Sequence, residues 1–250
     1  MEGQGAPIEY YRDHYRQTIS TALANNVHPG TSYTVNSIGR IVQTYLTSSQ
    51  RRAIDIGCGP GYILSEVKKL GFSEFGIDFN PELICIARDH YHVNAEVAGV
   101  EDLVAINAEF DLAILVHVLE HVEKPLSLLL GIRQILADKG VIFIATPNRR
   151  RSSAYGSLAK GDFGELDYPP HHLSFWSTVS LKQALRIAGY TLLECRWRPA
   201  AQGLRIERLL TDHLGLPSGP WVAVLARLIR LSIRSLKIQG EELLAVAQRR

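Results

Sequence analysis

The sequence predicts an α/β protein in which helices wrap both faces of a parallel sheet. Two observations carry that prediction. Five short apolar runs alternate with segments of helical periodicity, the pattern of strands joined by helical crossovers. Residues able to do chemistry stand where those runs end: Asp55, Asp78, Glu101, His117 and Pro147-Asn148. Ligands of such sheets bind at the carboxyl ends of the strands, so these residues converge on one edge.

Taken in order, residues 1–7 are glycine-rich, and Tyr10, Tyr11, Tyr15, Ile19 and Leu23 suit helical structure over Ile8–Asn25. His28-Pro29-Gly30 interrupts the pattern. Val35, Ile38, Val42 and Leu46 then share one face of a helix over Thr34–Leu46. Residues 1–48 are expected to form a helical cap. The first strand, Ala53-Ile54-Asp55-Ile56, runs into Gly57-Cys58-Gly59-Pro60-Gly61, and a helix follows from Tyr62 to Leu70. Glycine permits a sharp turn and a close approach to a ligand. A helix starting there directs free N–H groups and a positive dipole end at the same point. The local chemistry is that of a nucleotide site.

Spacing narrows the nucleotide. A dinucleotide fingerprint, G-x-G-x-x-G, would need glycine where Tyr62 stands. No G-x-x-x-x-G-K-[ST] run occurs anywhere. The chain instead reads D-x-G-x-G-x-G from Asp55.

The second strand, Glu74–Asp78, ends in an acid about 20 residues beyond the glycines, where a carboxylate can accept both ribose hydroxyls. Asn80 as cap and Pro81 at the first position start a helix to about Tyr91. A third strand, Val93–Ala98, leads to Gly99-Val100-Glu101-Asp102-Leu103. Phe110–Val116 reads as a buried parallel strand. His117–Val122 follows it, then a helix over Pro125–Ala137. Strand Val141–Ala145 closes in Thr146-Pro147-Asn148. Arg149, Arg150 and Arg151 open a long Ser/Gly-rich loop to Gly164, suited to an acidic substrate or to solvent. Tyr168–Trp176 carries His171 and His172. Helix Thr178–Ala188 and strand Thr191–Trp197 come next, and residues 200–239 form a helical insertion before a last strand, Glu242–Gln248.

Composition excludes several classes. The 250 residues suit one domain with elaborations, 46% are hydrophobic, and a net charge of +2 gives no push toward nucleic acid. Cys58, Cys85 and Cys195 form no C-x-x-C, so neither a disulfide framework nor a zinc site is expected, and a reduced cytoplasm is the expected compartment. Asp13 and His14 make the N-terminus unlike a signal peptide. No apolar run approaches about 18 residues, so no spanning helix is expected.

Asp55–Gly61, Gly76-Ile77-Asp78, Phe110-Asp111, Val118–Val122, Leu136–Gly140 and Thr146-Pro147-Asn148 fall in an order and spacing that resembles class I S-adenosylmethionine-dependent methyltransferases. The likeness is to the branch of ubiquinone-biosynthesis O-methyltransferases and related bacterial small-molecule methyltransferases. It covers residues 50–197 and the last strand. The resemblance implies a Rossmann-like, seven-stranded, mostly parallel sheet of order 3-2-1-4-5-7-6 with strand 7 antiparallel. It also implies a cofactor set of Asp55, Gly57, Cys58, Gly59, Gly61, Asp78, Phe79, Val100, Glu101, Val116 and His117. The glycines would underlie the methionine and ribose parts. Asp55 would orient the loop or the amino group, and Asp78 would hold the ribose. Many relatives place an aspartate beside the adenine where Gly99 stands, leaving that role to Glu101 or the Val100 backbone.

His117, Glu120 and His121 have i, i+3, i+4 spacing, so a helix start would gather them on one side. With His172 they make a plausible metal set. Metal-binding relatives, however, carry Glu-x-x-Glu-His, and His117 replaces the first glutamate, so no metal is expected. Histidine titrates in the range of a general base. Of His117, His121, His171 and His172, the preferred base is His172, whose loop should face the substrate; structural or orienting roles are the alternative. The expected reaction is methyl transfer to a small-molecule acceptor, most readily at oxygen with histidine-assisted deprotonation. Alternatives are N- or C-methylation, a lipid-like acceptor at a membrane surface, and a non-catalytic cofactor-binding partner subunit.

In the insertion, Arg227, Arg230, Arg234 and Lys237 span about 80° of a helix over Trp221–Ile238, opposite Trp221, Val224, Leu225, Leu228 and Leu236. Such a helix suits peripheral contact with an anionic membrane, a dimer seam, or a cap over the active site.

Overall fold

In the computed structural model, which describes residues 31–46, 51–149, 169–198, 210–211, 214–235 and 242–250, helices and strands alternate along the chain. Helix α1 (Thr31–Tyr45) precedes β1 (Arg52–Ile56), α2 (Tyr62–Lys69), β2 (Ser73–Asp78), α3 (Pro81–Asp89), β3 (Ala95–Val97) and α4 (Val100–Ala105). Then come β4 (Phe110–Val116), α5 (Pro125–Ile135), β5 (Leu136–Pro147), α6 (Thr178–Ile187), β6 (Tyr190–Trp197), α7 (Pro220–Ser235) and β7 (Glu242–Arg249). The residues expected to be helical over Ile8–Asn25, the loop of 150–168 and residues 199–209 lie outside the described set.

All seven strands join in one sheet of order β3-β2-β1-β4-β5-β7-β6. β1 to β5 pair in parallel, whereas β7 runs antiparallel to both β5 and β6. This is the Rossmann-like arrangement expected. Strand order reverses between β1 and β4, which opens a crevice just beyond Ile56.

The unbroken apolar character of β4 follows from burial on both faces. Leu112 and Ile114 pack with Ile38 and Ile41 of α1 and Val67 of α2 on one side. Ala113 and Leu115 pack with Leu129 and Ile132 of α5 and Leu181 and Leu185 of α6 on the other. Helix α1 is also pinned by charge. Arg40 donates through both terminal nitrogens to Glu194 of β6, at 2.8 and 2.6 Å, and the Tyr45 hydroxyl donates to the same carboxylate at 2.7 Å.

Three local features differ from the pattern reading. No helix is expected over α4 from pattern; the Asp102 carboxylate accepts the Gly99 N–H at 2.8 Å and nucleates a helix too short for periodicity to reveal. α5 ends at Ile135 rather than Ala137, because Leu136 is already extended and begins β5 opposite Phe110, with a register shift before Leu112. The residues after β4 turn rather than begin a helix: His117 sits at a left-handed φ of 56°, and the His121 N–H closes a turn onto the Val118 carbonyl at 3.0 Å.

Candidate active site

The glycine turn occupies the crevice at the strand-order reversal. Gly57, Gly59 and Gly61 all have positive φ, at 71°, 53° and 87°. The Ile77 carbonyl accepts the N–H groups of both Gly57 and Cys58, at 2.8 and 3.0 Å, which presses the turn onto β2. A Cβ on Gly57 would lie 2.5 Å from Val118 Cγ2, and one on Gly61 would lie 2.9 Å from the side chains of Ala87 and Val93. Packing therefore demands glycine at both ends. The middle differs: a Cβ on Gly59 would meet nothing within 4 Å, so its side faces open space. Cys58 turns its sulfur under the loop, 2.7 Å from where a Gly76 Cβ would stand, and burial pushes its thiol pKa up. What Cys58 offers a ligand is backbone.

Two acids flank the turn. Asp78 Oδ2 accepts the Gly59 N–H at 3.0 Å and Oδ1 accepts the Asn80 N–H at 2.9 Å, so one carboxylate ties the loop to the start of α3. Burial raises its pKa against those stabilising bonds. Asp55 is 2% exposed, and burial, helped by the charge of Asp78, pushes it up to about 8. Both acids hold negative charge reluctantly, so a cation beside them would favour their ionised forms.

Beyond β2 and β3, Phe79 is 70% exposed and stands beside Gly99. A Cβ on Gly99 would lie 2.8 Å from Glu101 Oε2 and 3.7 Å from the Phe79 ring. Glu101 thus folds back into the space a side chain at position 99 would fill. Glycine at 99 and glutamate at 101 are one structural solution, with Val100 buried beneath them.

On the other side of the crevice, the four expected histidine-cluster residues divide into two groups. His117 is clasped: Nδ1 lies 3.1 Å from Glu120 Oε1 and Nε2 lies 3.0 Å from Glu242 Oε1, with both carboxylates buried. Burial lowers its pKa, but the two carboxylates outweigh that and raise it to about 10. His117 accordingly carries its proton and has no lone pair for a base's role; the geometry makes it a structural clasp beside Val116. Glu120 is drawn below its usual range by His117 despite its burial, and also accepts from the Thr146 hydroxyl at 3.0 Å.

His121 and His172 form the second group. The Leu173 and Ser174 N–H groups donate to the Glu120 carbonyl at 2.8 and 3.1 Å, and the Arg149 N–H donates to the Trp176 carbonyl at 2.8 Å. These bonds fasten the His171-His172 loop to the turn after β4. As a result the His121 and His172 rings lie 4.9 Å apart, edge to face. His121 Nδ1 lies 2.7 Å from the His171 carbonyl, an obligate acceptor, so Nδ1 carries the proton and Nε2 is the basic nitrogen. Glu120, His121 and His172 each bring one ligand-type atom within 4.8 Å of the others. A cation there would have to share Glu120 with His117 and Thr146.

Two participants were missed by sequence reasoning. Glu242 is the first residue of the last strand, and Arg198 approaches its second oxygen at 3.5 Å. No spacing signal links either residue to His117; only the antiparallel pairing of Glu242 with Pro147 brings it there.

Comparison with known proteins then decides the family. A family model described as a methyltransferase domain matches residues 11–195. The chain belongs to the methyltransferase family. Its methyl donor is S-adenosylmethionine. Among curated relatives, a ubiquinone biosynthesis O-methyltransferase from Xanthomonas euvesicatoria pv. vesicatoria is 30% identical over 160 residues, covering 60% of this chain and 67% of the relative. Two solved structures share the fold of this methyltransferase. A Haloferax volcanii methyltransferase solved in complex with the Trm112 methyltransferase activator matches at TM-score 0.63 and 19% identity, covering 94% of each chain. An Archaeoglobus fulgidus SAM-dependent methyltransferase matches at TM-score 0.59 and 18% identity, covering 88% of this chain and 94% of that one.

Proposed function

We propose that this methyltransferase acts in the cytoplasm and methylates an oxygen of a small-molecule acceptor, with His172 as the general base. The observation that carries the reading is the His121–His172 pair, held at the same carboxyl edge of the sheet as the glycine turn. S-adenosylmethionine supplies an activated methyl carbon on a cationic sulfur, so the protein has to orient the acceptor and remove its proton.

The residues present fit that donor. Asp55 and Asp78 are buried carboxyl groups that a cationic ligand would help to ionise, and the open side of Gly59 leaves room against the turn. Asp55 would receive the amino group or orient the loop. Asp78 keeps lone pairs for ribose hydroxyls beyond those used by Gly59 and Asn80. Gly57, Cys58, Gly59 and Gly61 would contact the ligand through backbone. Phe79, Val100 and Glu101 would border the adenine, Glu101 taking the place of the aspartate common in relatives. Val116 and His117 would form the opposite wall, His117 by its backbone and position rather than by titration.

For the acceptor, His172 would take the hydroxyl proton. His121 is oriented through its bond to the His171 carbonyl and stands against the ring of His172, while Glu120 nearby stabilises the imidazolium that forms. The name of the Xanthomonas relatives, which specifies O-methylation in quinone biosynthesis, supports oxygen over nitrogen or carbon as the methylated atom.

The deciding experiment combines calorimetry with S-adenosylmethionine and a mass-spectrometric screen of phenolic, catecholic and carboxylic acceptors. Donor binding without transfer to any hydroxyl acceptor, alongside transfer to an amine, would remove the oxygen assignment.

A further inference from the structure

Helix α7 has two apolar faces, one buried and one exposed. Val222 and Ala226 are buried with Leu210, and Leu216, Leu225 and Ile229 close around them. Trp221, Val224 and Leu228 point elsewhere, at 45%, 60% and 55% exposure. Steps of three and four residues align them in one outward row. This differs from the sequence expectation, in which Trp221, Val224, Leu225 and Leu228 shared one face opposite the cations.

Charge frames that row. At about 100° per residue, Arg227 lies beside it, and the sequence supplies further cations at Arg230, Arg234 and Lys237. From His213 to Gly240 there is no aspartate or glutamate. An isologous dimer seam would bring two such cationic segments together with no acid to pair them. A surface rich in phosphate headgroups faces the opposite balance: apolar residues enter the headgroup boundary, arginines meet phosphate, and an amphipathic indole suits the level between. No described helix is long and apolar enough to cross a membrane, so the contact lies along the surface.

Topology ties the segment to the edge of the sheet that carries the site. The segment holding α7 leaves the sheet after Trp197, paired with Leu243, and returns at Glu242, paired with Pro147. That is the edge at which His117 meets Glu242 and the crevice opens.

We propose that the outward row of α7 docks on an anionic phospholipid bilayer, bringing the mouth of the site to the membrane surface. The proposal stands apart from the choice of acceptor atom and of base.

The test is flotation of the full chain with phosphatidylcholine vesicles, with and without phosphatidylglycerol, at low and high salt. The expected result is at least about tenfold greater partition onto anionic vesicles, weakened by salt. Trp221→Ser/Leu228→Ser and Arg227→Glu/Arg230→Glu are each expected to lose about tenfold or more of that partition, with donor binding by calorimetry and the thermal melt unchanged. Equal partition onto both vesicle types overturns the proposal, as does wild-type partition by both variants. A concentration-dependent dimer in ultracentrifugation, dissolved by the same substitutions, overturns it in favour of a protein seam.

Discussion

Asp78 Oδ2 accepts the Gly59 N–H at 3.0 Å while its other oxygen accepts the Asn80 N–H at 2.9 Å. One carboxylate therefore holds the glycine turn and positions Asn80, whose own side chain caps the helix that follows. Removing it costs both functions. Asp78→Ala is expected to weaken S-adenosylmethionine binding about 100-fold, the loss of two hydrogen bonds to a charged group. Calorimetry measures this directly; affinity within a few-fold of wild type would show that Asp78 does not hold the donor.

Asp55 links donor binding to pH. Its folded pKa, raised to about 8 from 3.8, means that the fold favours the neutral acid. That contribution to stability is complete below 3.8 and is lost as pH rises through 8. Asp55→Asn is thus expected to melt higher than wild type above pH 8, by about 2–4 °C for each kcal/mol gained, while binding donor at least about tenfold more weakly. Because the cation favours ionised Asp55, binding at neutral pH should release a proton. Equal binding heats in buffers of different ionisation enthalpy would contradict this.

Gly57 and Gly59 should separate folding from binding. Gly57→Ala combines a φ of 71° with a 2.5 Å clash against Val118 and is expected to destabilise by about 2 kcal/mol or more. Gly59→Ala carries the φ strain alone, about 1–2 kcal/mol, so it should fold, yet its methyl would enter the open space proposed for the donor and weaken donor binding. Denaturant melts and calorimetry on both variants test the contrast.

His172→Ala should lower turnover about 10²–10⁴-fold on hydroxyl acceptors with donor affinity unchanged. An acceptor already ionised at the assay pH should largely restore the rate. A chelator-sensitive activity recovered by a divalent cation would instead assign Glu120, His121 and His172 to metal binding.

Arg40, Tyr45 and Glu194 hold α1 on the sheet. The hydrogen bond from Arg40 lowers Glu194 to about 2, opposed by burial and reinforced by Tyr45. Its stabilising contribution is present above the usual 4.5 and is lost as pH falls toward 2. Since Arg40 is partly exposed, Glu194→Gln is expected to cost only about 1 kcal/mol near neutral pH. The cost should shrink in acid, as read by melts across pH.

The amino-acid sequence alone determined the sheet and the glycine turn, because both rest on short-range rules. An apolar run, an acid, three glycines and a helix start are contiguous. Their chemistry follows from backbone conformation and the helix terminus, whatever the rest of the chain does. Alternation of strand and helix then brings the carboxyl ends to one edge. Tertiary structure decided the rest. His117 reads as a base by type and spacing, but Glu242, far along the chain, turns it into a clasped imidazolium. Glu101 fills the space left by Gly99 through a fold-back that no periodicity encodes. The outward face of α7 was set by Leu210 and Leu216 covering Val222 and Ala226, since helical pattern gives the angles of side chains and only packing selects which angle is buried.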